Sequence, residues 1–156
     1  MARWLAVAAL VVLLDQLSKW WITQHLLVFE VRHLLPVFDL TLIYNEGAAF
    51  SLLSEAGGWQ RWFFIALALL ILGVLWVWLR RLRAGPVSEA LGIALVMGGA
   101  LGNLIDRIRI GHVIDFLDFH LGGWHWPAFN IADAAISLGV VLLIVATVRS
   151  GGRRES

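Results

Sequence analysis

The chain has 156 residues, of which 60% are hydrophobic and 15% charged, with a mean hydropathy of +0.83. Soluble domains carry nearer to a quarter charged residues, so this length and apolar excess describe one domain that lives in a membrane. The formal charge of +1 offers no basic face for nucleic acid, and the lack of cysteine excludes disulfides, thiolate metal sites and thiol catalysis while leaving the redox compartment open.

The first apolar run, Trp4 to Leu14, follows Arg3 as a secretory leader would. It continues into Asp15-Gln16-Leu17-Ser18-Lys19 and Trp20-Trp21 with no small-x-small cleavage site, which favours a retained first span over about residues 4–22. A crossing needs roughly 20 residues, so Asp15 and Lys19 fall inside it. Asp15 stands about 16 Å along the axis from Trp4, past the midplane. The i,i+4 spacing puts Asp15 and Lys19 on one helix face, either as a structural ion pair or as support for a polar site.

Residues 26–58 differ in kind. Val28 to Leu35 and Phe38 to Tyr44 are rich in strand formers on either side of Pro36, which predicts a small sheet on the membrane surface. Asn45-Glu46-Gly47 then turns, and Ala48 to Ser54 reads as a short surface helix broken by Gly57-Gly58.

The second span, about 60–79, contains an uninterrupted apolar run from Trp62 to Leu79, closed by Arg80, Arg81 and Arg83. Apolar on all faces, it points to lipid and offers no chemistry. The third, about 87–106, is glycine-rich. Gly98 and Gly102 make a small-x3-small pair, which allows close helix approach, and Gly99, Asn103 and Arg107 share a face. The Gly-lined face is read as room for a ligand to approach. Residues 106–130 form a second loop holding Asp106, Arg107, Arg109, His112, Asp115, Asp118, His120 and His125, and the fourth span is about 131–148.

Seven basic residues (Arg3, Arg80, Arg81, Arg83, Arg149, Arg153 and Arg154) fall on one side, against four (Arg32, Arg61, Arg107 and Arg109) on the other. That predicts cytoplasmic termini and both long loops outside, with Trp4, Trp76 and Trp78 at one interface and Trp20, Trp21, Trp59, Trp62, Trp124 and Trp126 at the other.

Acidic side chains at the edge of hydrocarbon are costly and seldom persist without a partner or a task. Asp115 or Asp118 in Val113-Ile114-Asp115-Phe116-Leu117-Asp118, together with Asp133 after Phe129-Asn130-Ile131-Ala132, could form a catalytic carboxylate pair at the outer interface. Two carboxyls held close share a proton, so that one takes a proton from water while the other protonates a carbonyl, which is peptide hydrolysis without a metal. Asn130 as N-cap puts Asp133 at the third helical position, where the dipole favours the anion, leaving Asp115 to hold the proton. Blander readings stand beside this: Asp133 as a first-turn carboxylate, Asp115 and Asp118 as solvated loop acids, Asp106 salt-bridged to Arg107 at the surface, and Asn103 and Arg107 as locks between spans. His112, Asp115, Asp118 and His120 could in principle ligate a metal, yet without a His-Glu-x2-His helix or thiolates neither metal nor cofactor is expected. Spacing alone does not separate Asp115 from Asp118.

The stretches Asp15-Gln16-Leu17-Ser18-Lys19, Asn45-Glu46-Gly47-Ala48-Ala49-Phe50-Ser51, Gly98 to Arg107, Val113-Ile114-Asp115-Phe116 and Phe129 to Asp133 together resemble the five motifs of the lipoprotein signal peptidases (signal peptidase II), bacterial aspartyl peptidases. The likeness runs over essentially the whole chain and no motif position departs from it; His120 to Trp126 aligns with no motif. It implies an α-helical integral membrane protein, four transmembrane helices with a small extracytoplasmic β-cradle and a short surface helix. It implies that Asp115 and Asp133 are the catalytic pair and Asp118 is not, with Asn45, Gly99, Asn103, Arg107, Asn130 and Ala132 around the site and Asp15 and Lys19 as structural polar residues. The implied substrate is a prolipoprotein cut just before a diacylglyceryl-modified cysteine in the bacterial cytoplasmic membrane, the implied inhibitors are of the globomycin type, and one chain holding the full site implies a monomer in contact with membrane lipid. The rival readings are a small proton- or ion-coupled transporter, which would want a polar relay through the bilayer, and a non-enzymatic assembly subunit.

Overall fold

A computed structural model describes residues 1–47, 58–82 and 87–151. Four long helices run as α1 (Ala2–His25), α2 (Trp59–Arg81), α3 (Val87–Arg109) and α4 (Ile131–Gly151). Between them lie the strands β1 (Val31–Leu35), β2 (Phe38–Asn45), β3 (Val113–Leu121) and β4 (Trp124–His125), one antiparallel sheet in the order β1-β2-β3-β4. All four helices are long and apolar enough to cross a membrane. The sequence-predicted surface helix at Ala48–Ser54 lies outside the described residues.

Helix α3 is the hub. Over its most apolar window 56% of residues are buried, against 17% for α2 and 22% each for α1 and α4. Its glycines explain this. A methyl group at Gly98 would lie 2.7 Å from Val11 Cβ of α1, one at Gly102 2.6 Å from Asp15 Oδ2, and one at Gly92 2.8 Å from the Gly139 carbonyl of α4; at Gly99 it would collide with the Ala132 carbonyl. The missing side chains let backbones pack closely where lipid supplies no hydrophobic drive for association. The space read from sequence as room for a ligand is therefore filled by α1 and α4.

The helices outlast their sequence-predicted bounds by up to three residues at an end, because their ends continue into polar turns that packing, not hydropathy, keeps helical. Trp20, Trp59, Trp62 and Trp124 are exposed. A cluster of Ile22, Leu26, Leu42, Ile114 and Phe116 docks the sheet onto the end of α1. A second cluster, Leu75, Leu79, Ala90, Ile93 and Val96, holds α2 to α3 at the opposite end.

The sheet differs from the expectation of strands confined to residues 26–58. Its third strand comes from the second loop: Asn45 pairs with Val113, Ile43 with Asp115 and Asp39 with Asp118. Asp115 thus sits in a strand bonded to the first loop, not in an extended loop. Gly122 and Gly123, both at positive φ (58° and 84°), make the tight turn to β4 that a side chain would resist. The strand is also stitched to the approach to α4: the amides of Phe116 and Leu117 donate to the Phe129 carbonyl at 3.0 and 2.8 Å, and the Phe129 amide donates back to Leu117 at 3.0 Å. That stitch carries Asp115 to the N-terminus of α4.

Candidate active site

Asn130 is the N-cap of α4 as the sequence suggests. Its Oδ1 accepts from the Asp133 amide at 2.9 Å, and its own amide donates to Asp133 Oδ2 at 3.3 Å, a reciprocal cap with the carboxylate at the third position. The same side chain reaches β3, where Nδ2 donates to Asp115 Oδ1 at 2.7 Å and contacts the Ile114 carbonyl and Asn103 Oδ1 at 3.2 Å each. One residue therefore joins both aspartates.

Each carboxyl receives a second amide. Asn45 Oδ1 accepts from the Gly47 amide at 3.0 Å, which turns its Nδ2 toward Asp115 Oδ2 at 2.9 Å. Asn103 Nδ2 donates to Asp133 Oδ1 at 2.7 Å, and Asn103 Oδ1 accepts from Lys19 Nζ at 3.0 Å. Asp115 is buried and Asp133 half-buried, and both line one cavity of about 480 Å³. Asn45, Gly47, Asn103, Arg107, Trp126, Phe129, Ile136 and Ser137 line it too, so it extends from the sheet down the first turns of α4. Burial, and next the charge of Asp133, push the Asp115 carboxyl up to about 7 against the opposing hydrogen bonds from Asn45 and Asn130.

Arg107 Nη2 donates to the Gly47 carbonyl at 3.0 Å and its guanidinium lies 4.9 Å from the centre of the Phe64 ring. It ties α3 to the turn after β2 and to α2, and presents a cation to the cavity. Asp106, expected to pair with Arg107 at the surface, is instead buried. Adjacent helical residues diverge by about 100°, so Asp106 faces inward. There it takes Lys19 Nζ at 2.7 Å and Gln16 Nε2 at 2.8 Å.

Lys19 Nζ donates also to Asp15 Oδ2 at 2.8 Å, so all three of its protons are placed, on Asp15, Asp106 and Asn103. Asp15 Oδ1 in turn accepts the Ala132 amide at 2.9 Å in the first turn of α4. Asp15 and Lys19 are thus at once a buried ion pair and the support beneath the cavity, and both sequence alternatives hold together. Gly99 and Ala132 do not line the cavity; they pack α3 against α4 beneath it. Gln16 and Asp106 are the supporting residues that sequence reasoning left out. The i,i+3 spacing of Gln16 to Lys19 and of Asn103 to Asp106 is the signal that the sequence offers.

The structure separates Asp118 from the cavity. It lies three positions beyond Asp115, so strand alternation turns it to the other face of the sheet, where both its oxygens contact His125 Nδ1 at 2.8 and 3.1 Å. The four-residue metal set conceivable from sequence is not brought together: the His112 ring packs against Tyr44, and His120 lies beside Asp39.

The profile of a family described as signal peptidase (SPase) II matches residues 7–149. A lipoprotein signal peptidase of Cupriavidus taiwanensis is 52% identical over 146 residues, covering 94% of this chain and 82% of that protein. One from Hydrogenovibrio crunogenus is 51% identical over 143 residues, covering 92% of this chain and 82% of its own length. A bacterial membrane enzyme solved by the in meso method at 2.3 Å superposes with a TM-score of 0.87 at 32% identity, covering 98% of this chain and 92% of that one.

Proposed function

The chain belongs to the signal peptidase II family, and on that premise we propose that it is an aspartic endopeptidase that removes the signal peptide from diacylglyceryl-modified prolipoproteins by cutting just before the lipidated cysteine. The observation that carries the aspartic mechanism is that Asp115 and Asp133 open onto one cavity while Asn130 binds both.

Asp133, at the positive end of α4, is the ionised member and takes a proton from water as the oxygen attacks the scissile carbonyl. Asp115 donates its proton to the carbonyl oxygen, giving a neutral gem-diol. Collapse then returns the proton from one hydroxyl to Asp115 and passes the proton on Asp133 to the leaving amine, which restores both groups. Asn45, Asn103 and Asn130 hold the carboxyls in register, and Arg107 orients the peptide. The acyl chains of the substrate remain among lipid while the cavity along α4 takes the peptide. This reading puts the enzyme in the cytoplasmic membrane, with both termini in the cytoplasm and the site at the outer face. One chain supplies the whole pair, which supports a monomer. Cyclic peptides of the globomycin type would compete for the cavity.

The test is cleavage of a lipidated precursor by the purified protein and by Asp115→Asn and Asp133→Asn. Both variants lose turnover while remaining folded, and chelator leaves wild-type turnover intact. Retained turnover in either variant sinks the paired mechanism.

A further inference from the structure

The sheet face turned away from the aspartate pair holds a second cluster of chemistry-bearing side chains. Strand register assembles it: His33 of β1 stands opposite Asp39 of β2, Asp39 opposite Asp118 of β3, and His120, two residues on, shares the Asp118 face. His33 Nδ1 lies 2.9 Å from Asp39 Oδ1, and His120 Nε2 lies 3.2 Å from Asp39 Oδ2. Among the described residues, His33, Asp39 and His120 are the one group whose donor atoms all fall within 4.8 Å of one another.

We propose that His33, Asp39 and His120 bind a divalent transition ion of the zinc class, stapling β1 to β3 across β2. The ligand set, two imidazoles and one carboxylate, is of the type such ions take, with a fourth position left for solvent. A tetrahedral ion about 2.1 Å from each donor sets its ligand atoms roughly 3.4 Å apart, close to the 2.9 and 3.2 Å between the carboxylate and the two imidazoles.

Three further observations point the same way. The Asp39 side chain is 2% exposed, yet the groups facing both its oxygens are imidazoles. His120 Nε2 is buried and makes no aligned hydrogen bond despite its closeness to Asp39, so it points at the carboxylate region without being satisfied by it. A shallow cavity of about 360 Å³, lined by His33, Leu34, Leu35, Pro36 and His120, gives an ion a way in and room for a solvent ligand. His125 stacks on His120 at 5.0 Å and is itself held by Asp118, which fixes the ligand ring from behind.

The experiment uses the full chain in detergent, free of any polyhistidine tag and stripped with chelator. Zinc uptake is measured by calorimetry and elemental analysis, and cobalt serves as a visible probe of coordination. Expected are one zinc per chain, tetrahedral cobalt bands, and a melting temperature that rises with zinc. Exposed His33 can be truncated without disturbing the fold, so His33→Ala should melt like the stripped wild type. It should bind zinc at least about tenfold more weakly, as losing a ligand costs no less than losing an outer-shell partner. His120→Ala should behave likewise, and His25→Ala, outside the cluster, should bind as wild type. No zinc uptake, or uptake unchanged in both His33→Ala and His120→Ala, overturns the proposal. So does loss of peptide cleavage on stripping, at a temperature where the chain is folded, since that would put the ion at the aspartates instead.

Discussion

Four carboxylates crowd the sheet end of the helical bundle, and they are treated in two different ways. Asp15 and Asp106 face the ammonium of Lys19 at 2.8 and 2.7 Å. Asp115 and Asp133 receive amide donors from Asn45, Asn103 and Asn130, and among the described residues no cation stands within ion-pairing distance of them. An ammonium binds a carboxylate as an ion pair, whereas a neutral amide donates a hydrogen bond and brings no charge. The first pair is thereby tied into the bundle and the second is held in place by neutral donors at the cavity. Asn103 stands between the two regimes, accepting from Lys19 and donating to Asp133, so the cation orders the pair without neutralising it.

The largest way to break the contrast is at the exchanging pair. Asp115→Asn and Asp133→Asn should each lower turnover by at least the roughly 10²–10⁴-fold of a lost general acid or base, with melting temperature held in Asp115→Asn and held or raised in Asp133→Asn, where a partly buried charge is removed. Next, Lys19→Met leaves Asp15 and Asp106 without their counter-ion and should cost about 3–5 kcal/mol in denaturant unfolding; adding Asp106→Asn should recover part of that. Smaller is Gly99→Ala, where the new methyl meets the Ala132 carbonyl. It should cost about 1–3 kcal/mol and lower activity by shifting α4.

The subtlest test is the pH profile. Asp115 must be protonated to act as acid, so turnover should fall as pH rises through about 7. Folding holds that proton from the ordinary 3.8 up to about 7, so the native state binds it in a window where the unfolded chain does not, and this group's share of stability declines as pH rises across the window. Asn45→Ala removes a donor that favours the anion and should move the alkaline limb of turnover to higher pH. A limb that stays put would mean that Asn45 does not act on Asp115.

Much of this was readable from the chain. Hydropathy marks the four helices, and the Asn130 cap with Asp133 one turn on is a local pattern that survives folding. What escaped was non-local. Strand β3 hides because Asp115 and Asp118 suit a strand poorly, and only pairing with β2 some 70 residues earlier makes one of it. Adjacency in sequence pairs Asp106 with Arg107, whereas helical geometry separates neighbours and sends Asp106 inward to Lys19. The small-x3-small pair Gly98 and Gly102 marks close helix approach, as α1 and α4 show, while the room also read there for a peptide is filled by those helices. Nothing in the linear order marks Asp39 and His33, since their alignment with His120 exists only once three strands are in register.

The stitch between Leu117 and Phe129 has a consequence for how the chain can vary. It closes off the loop from Leu117 to Phe129, which carries the hairpin with Gly122-Gly123 at its tip, and leaves Asp115 and Asp133 outside that loop, one on each side of the stitch. Residues inserted at that tip would lengthen the hairpin without passing any displacement to Asp115 or Asp133. Homologous chains could therefore differ freely in this appendage, and a reporter peptide grafted there should leave the hydrolytic geometry untouched.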